Sequence, residues 1–107
     1  MDLRPTFRAA LDAFGALPAV VTLPDLDPVT TEALWLPPVT VEVPAGNDFH
    51  RMELRRVLAL SRTAVPQVPR GTVVIVAESA GEDPTAWQVD GIDSIHYDHT
   101  RALVVPA

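Results

Sequence analysis

Eleven prolines stand singly or in pairs between short apolar runs and never gather into a tract. Proline lacks the backbone N–H and breaks a helix interior. A chain interrupted this often is suited to many short elements joined by turns. The 107 residues leave room for one domain of ordinary size. A hydrophobic share of 48% is enough to give that domain a core. Residues 1–107 are therefore read as a single domain: an N-terminal helix over 1–15, then a β-barrel or sandwich over 18–107 with a long loop near 43–52.

The helix rests on Asp2 as its cap, Pro5 in its first turn, Phe7, Leu11 and Phe14 at helical spacing, and Gly15 as its stop. A helix of about 10 residues is marginal alone, so its aromatic stripe must pack on the rest of the chain. From Pro18 onward, β-branched runs end at turn residues. Ala19 to Leu23, Thr30 to Leu36, and Val39 to Val43 with its alternating valines are each expected to form a strand. Thr72 to Ala77 is the clearest strand. Trp87 and Val89 alternate with Gln88 and Asp90 before a bulge or bend at Gly91. Ile95 to Tyr97 and Arg101 to Val105 form a closing hairpin around Asp98-His99. Phe49 to Leu60 contains good helix formers, but the neighbouring strands and the Val57-Leu58-Ala59-Leu60 run favour strand. The expected fold is mainly β: six or seven short antiparallel strands in a small barrel or sandwich, with one N-terminal α-helix.

The absence of cysteine excludes disulfides and thiolate metal sites, and suits a reducing compartment. No apolar stretch approaches the roughly 20 residues that span a bilayer. Arg4, Arg8 and Asp12 interrupt the N-terminus, which is not read as a signal peptide. The expectation is a cytosolic chain. The formal charge of −6, with arginine as the sole basic residue type apart from histidine, argues against general attraction to DNA phosphates. It is compatible with a wall past which DNA slides.

No catalytic residue, metal ligand or cofactor is assigned. His96-x-Asp98-His99, joined by His50, is the best metal candidate, but alternation and the turn are expected to part His99 from His96 and Asp98, leaving a solvated turn. Glu78, Glu82 and Asp83 lie in a Ser/Gly/Pro-containing turn where carboxylates are ordinarily hydrated. Ser61, Ser79 and Ser94 lack nucleophile-elbow glycines. The interface candidates are more informative. Trp35 with Leu36, just before Pro37-Pro38, could anchor a partner, since aromatics are enriched at such sites; core packing is the competing role. Asn47, Asp48, Phe49 and His50 form the tip of the 43–52 segment, either a loop that orders on a partner or an ordinary hairpin loop. Arg55 and Arg56 face opposite ways on a strand, and ion pairing to an acidic neighbour or plain solvation are their alternatives.

The order of these features carries a resemblance. An N-terminal helix leads to a strand and a turn-rich stretch. Then come Val57-Leu58-Ala59-Leu60, a spacer ending at Arg70-Gly71-Thr72, the strand Val73-Val74-Ile75-Val76, Trp87-Gln88-Val89-Asp90, and Asp98-His99-Thr100-Arg101 before a closing strand. This resembles the head–tail joining proteins of tailed bacteriophages, the lambda-like family of small neck proteins, with Thr72 where an Asp is common. The resemblance implies a non-enzymatic virion protein that forms a ring, usually of six copies, between the portal or its adaptor and the tail tube or tail terminator. Such a ring closes the DNA-filled head, with DNA passing through its lumen without sequence-specific binding and with no membrane partner. It would reside in the virion neck and, during assembly, in the bacterial cytoplasm; a gene transfer particle or prophage would use the same part. The alternatives are a stand-alone β-barrel protein-binding module, and a tail-completion or terminator protein of the same particle.

Overall fold

Period-two burial is the main organising feature of the computed structural model, which describes residues 7–107. The expected cap Asp2 and first-turn Pro5 lie outside the described residues. The elements are α1 (Phe7–Phe14), β1 (Leu17–Thr22), β2 (Val29–Pro44), β3 (His50–Ser61), β4 (Val73–Val76), β5 (Thr85–Ile95) and β6 (His99–Pro106). All six strands join antiparallel in one closed barrel, in the order β1-β2-β3-β6-β5-β4. The mainly β expectation with one N-terminal helix is met, and six strands close into a barrel in which β4 returns to β1.

Alternate residues of every strand point inward. Ala19 and Val21, Ala33 and Trp35, Leu58 and Leu60, Val74 and Val76, Trp87 and Val89, and Ala102 and Val104 belong to one apolar cluster. A six-stranded barrel is narrow enough for side chains to fill. One end is closed by the 62–72 connection, which contributes buried Val65 and Val68 to this cluster. Buried Thr72 fixes that connection: its hydroxyl donates to the Pro69 carbonyl at 2.7 Å and its own carbonyl accepts the Val89 amide.

The outer face of β2 and β3 carries a second cluster. Phe7 and Leu11 of α1 pack there on Leu34 and Ala59, with Leu36 beside them. Gly15 stops the helix at a φ of 87°, a left-handed conformation that favours glycine. Phe14, expected on the packed stripe, is exposed instead: it is the last helical residue, and only Phe7 and Leu11 of the stripe pack on Leu34 and Ala59.

Two sequence expectations change. The strands expected at Thr30–Leu36 and Val39–Val43 are one strand, β2, with a register shift between Leu36 and Val39. Pro37 and Pro38 occupy that irregularity and are exposed, where a residue without an N–H is tolerated. The long loop expected near 43–52 shrinks to residues 45–49, since β2 runs to Pro44 and β3 begins at His50. The tip turns tightly because Gly46, Asn47 and Asp48 all take positive φ, a conformation these residue types accept best. The bulge expected at Gly91 is present, with a second shift between Ile92 and Ser94.

Candidate functional site

Pairing in register shows what the barrel leaves unused. β3 meets β6 only from Arg56 to Ser61, and β1 meets β2 only from Val29 to Ala33. Beyond those limits, among the described residues, Val39–Pro44 and His50–Arg55 pair only with each other. They form a two-stranded ribbon about 20 Å long that leaves the barrel at its Arg56 end. A two-stranded hairpin is marginal by itself, so its base must be held.

That base is held by charge. Arg55 pairs with Glu53 at 2.6 Å and, across β6, with Asp90 of β5 at 3.3 Å; Arg70 reaches the same Asp90 at 3.4 Å. Arg51 also pairs with Glu53 at 2.6 Å. The hydrogen bond from Arg55 is the main cause that holds the Glu53 carboxyl below its usual range, against a smaller opposing effect of burial. Arg51 and Arg55 thus share Glu53, and Arg55 also engages Asp90, while Glu42 and Asp48 keep the ribbon as a whole slightly acidic.

The ribbon is also apolar where none of the described residues covers it. Phe49, Met52 and Leu54 are 72%, 62% and 70% exposed. Met52 and Leu54 lie on one face of β3, and Arg51, Glu53 and Arg55 on the other. Arg55 and Arg56 do face opposite ways. Arg56 points to the barrel mouth, with its guanidinium 4.0 Å from the Trp35 ring and 5.1 Å from the Trp87 ring, and it pairs with Glu78. Trp35 is half-buried there: its ring meets Trp87 edge-on at 5.1 Å and its indole N–H donates to the Ala77 carbonyl at 2.9 Å. Trp35 thus takes the packing role rather than that of a protruding anchor, and half-buried Leu36 packs against the α1 cluster. Asn47, Asp48, Phe49 and His50 stay exposed at the ribbon tip, with His50 3.5 Å from Glu42. Sequence reasoning missed Met52 and Leu54; their alternation with Arg51, Glu53 and Arg55 reads as an ordinary half-buried strand.

A second polar constellation ties α1 to the turn between β5 and β6. His99 stacks on Phe7 at 4.9 Å and on His96 at 4.5 Å. Arg101 Nε lies 3.2 Å from His99 Nε2, and His99 Nδ1 lies 2.7 Å from Asp98, to which it donates. The other Asp98 oxygen accepts the Phe7 amide, an otherwise unpaired group at a helix N-terminus. Burial alone would raise the Asp98 pKa, but the bonds from His99 and Phe7 prevail and hold it below the ordinary carboxylate value. Burial, then the charges of Arg101 and His99, push the His96 pKa down. The sequence expectation that the turn would separate His99 from its neighbours is overturned, since the bend folds the rings onto one another. His50 belongs to the ribbon instead, at the other end of β3. Among the described residues no group of three His, Asp or Glu side chains is placed to hold a metal ion. A groove of 480 Å³ beside α1 collects Ser61, Thr63 and Asp98, whose carboxylate oxygens are both engaged. No protein-family model matches the chain, and no curated protein is significantly similar to it.

Proposed function

We propose that this chain is a structural assembly protein: a ring-forming component of the neck of a tailed phage or phage-like particle, joining the DNA-filled head to the tail. One observation carries the reading. A filled, closed barrel holds out a ribbon whose Phe49, Met52 and Leu54 are left exposed by the described residues. Exposed apolar side chains grouped on a projecting element mark an association surface, and a closed barrel with a filled interior is a rigid base for one. The interior of each barrel is packed with side chains, so DNA would pass through the lumen enclosed by several copies. The net charge of −6 suits a wall that does not grip phosphates. The sequence resemblance to head–tail joining proteins supplies the setting, with portal or adaptor on one side and tail tube or terminator on the other.

Portal-bearing, DNA-filled heads mixed with the purified protein are expected to gain a ring at the neck by electron microscopy. A protein that stays off the heads and instead binds one defined peptide as a monomer would replace this reading with that of a stand-alone binding module.

A further inference from the structure

Besides the outer edge of β2, two strand segments are paired on one side only among the described residues, and they run in opposite directions from the point where Arg55 meets Asp90. The first is His50–Arg55 of β3, beyond the reach of β6. The second is the Asp90–Ile95 end of β5, beyond the pairing of β4, which stops at Gln88. The outer edge of β2 is open as well, but Pro37, Pro38 and Pro44 lie along it and remove donors a partner strand would need. The β3 edge has no proline and no bulge. It is the unprotected edge of the ribbon.

The two segments complement each other. Met52 and Leu54 stand exposed on β3; Ile92 and Ile95 stand exposed on β5, 38% and 64%, beside a groove of about 370 Å³ that also holds Pro66, Val68 and Pro69. Arg55 and Asp90 are engaged with each other within the chain, which leaves Arg51 of the first segment and Asp93 of the second as the opposite charges that can meet between copies. Edge-to-edge addition extends a sheet, so apolar residues meet on one face and charged residues on the other. In a chain of charge −6, copies repel, and Arg51, exposed on the open β3 edge, is a cation placed to offset that repulsion at Asp93.

Building on the ring-forming role proposed above, we infer that the β3 edge of the ribbon in one copy docks on the β5 end of a second copy, seating Met52 and Leu54 against Ile92 and Ile95 and setting Arg51 toward Asp93. The two surfaces differ, so the contact is heterologous. Repetition closes a ring when the rotation between copies allows it.

The chain has no cysteine, so a variant with Leu54→Cys and Ile92→Cys reports this contact directly. Rings assembled from it on portal-bearing heads are expected to give, on oxidation, a ladder of covalent multimers, and each single variant none. The charge reversals Arg51→Glu and Asp93→Arg are each expected to weaken assembly on the order of tenfold, and the double reversal to restore it. Rings that assemble without cross-linking, or that show no rescue, would overturn the contact and leave the neck role standing. Dimers formed by Leu54→Cys alone would replace it with a two-fold ribbon-to-ribbon contact. Failure of the unmodified protein to assemble on heads removes both the contact and the neck reading.

Discussion

Arg56 shows how one side chain closes the barrel mouth. Its stem continues the inward row of Leu60 and Leu58, and its guanidinium covers Trp35 and Trp87 while pairing with Glu78. A cation over an indole contributes about 0.5–2 kcal/mol, and an exposed ion pair about 0–1 kcal/mol. Arg56→Ala is therefore expected to cost about 1–2 kcal/mol and Glu78→Gln distinctly less, both read from denaturant unfolding followed by tryptophan fluorescence. The Asp98 and His96 pair gives a second residue-scale expectation, in pH. Both groups have pKa values lowered by folding, so the unfolded chain binds more protons and stability falls on acidification. The His96 contribution is complete above about pH 6.5 and is lost as pH falls below it. That of Asp98 is complete above about pH 4 and is lost as pH falls through its lower folded value. Asp98→Asn is expected to remove the acidic step from a plot of unfolding midpoint against pH and to keep the step that begins near neutrality.

At the level of elements, α1 depends on the barrel and the barrel does not depend on α1. Eight helical residues are too few to be stable in isolation. Phe7 and Leu11 supply the buried face, and Asp98 accepts the Phe7 amide. Neither Phe7 nor Leu11 belongs to the cluster inside the barrel. Phe7→Ala is thus expected to release the helix, lowering the helical circular-dichroism signal, while the midpoint of barrel unfolding by tryptophan fluorescence moves little. Leu58→Ala, at the centre of the interior, is expected to cost about 2–5 kcal/mol on that same fluorescence transition. The elements also differ in how clearly the sequence announces them. Thr72–Ala77 is a continuous β-branched run and Trp87–Val89 alternates apolar with polar, and β4 and the start of β5 lie there. Phe7 and Leu11 declare a helix, and Gly15 its end. Pro37-Pro38 misleads, because local rules take a proline pair as a stop, whereas the ladder between β2 and β3 resumes two residues later. The length of the ribbon is hidden for a related reason. Only the tertiary limits of β1 and β6 decide that Val39–Pro44 and His50–Arg55 stand clear of the barrel, so Met52 and Leu54 carry no local sign of being exposed.

At the scale of the whole molecule, stability and association are separated in space. The interior cluster draws on all six strands and the 62–72 connection, yet contains no residue between Val39 and Arg55. The ribbon is therefore dispensable for the core, and its exposed apolar residues are a standing aggregation hazard for a free monomer. A protein retains such an arm where a partner covers it. This separation makes a decisive variant possible. Val39 and Arg55 are direct cross-strand partners, so replacing Thr40–Leu54 by Asn-Gly closes the hairpin with the favoured two-residue turn and keeps the Arg55 bond to Asp90. The shortened protein is expected to unfold cooperatively with its stability within about 1 kcal/mol of the full chain, because only surface contacts are removed. It is also expected to be more soluble and to fail to form rings on portal-bearing heads. Thermal unfolding and electron microscopy of the mixture check the two halves. Lost folding would show that the ribbon supports the barrel, and retained rings would move the association surface elsewhere on the molecule.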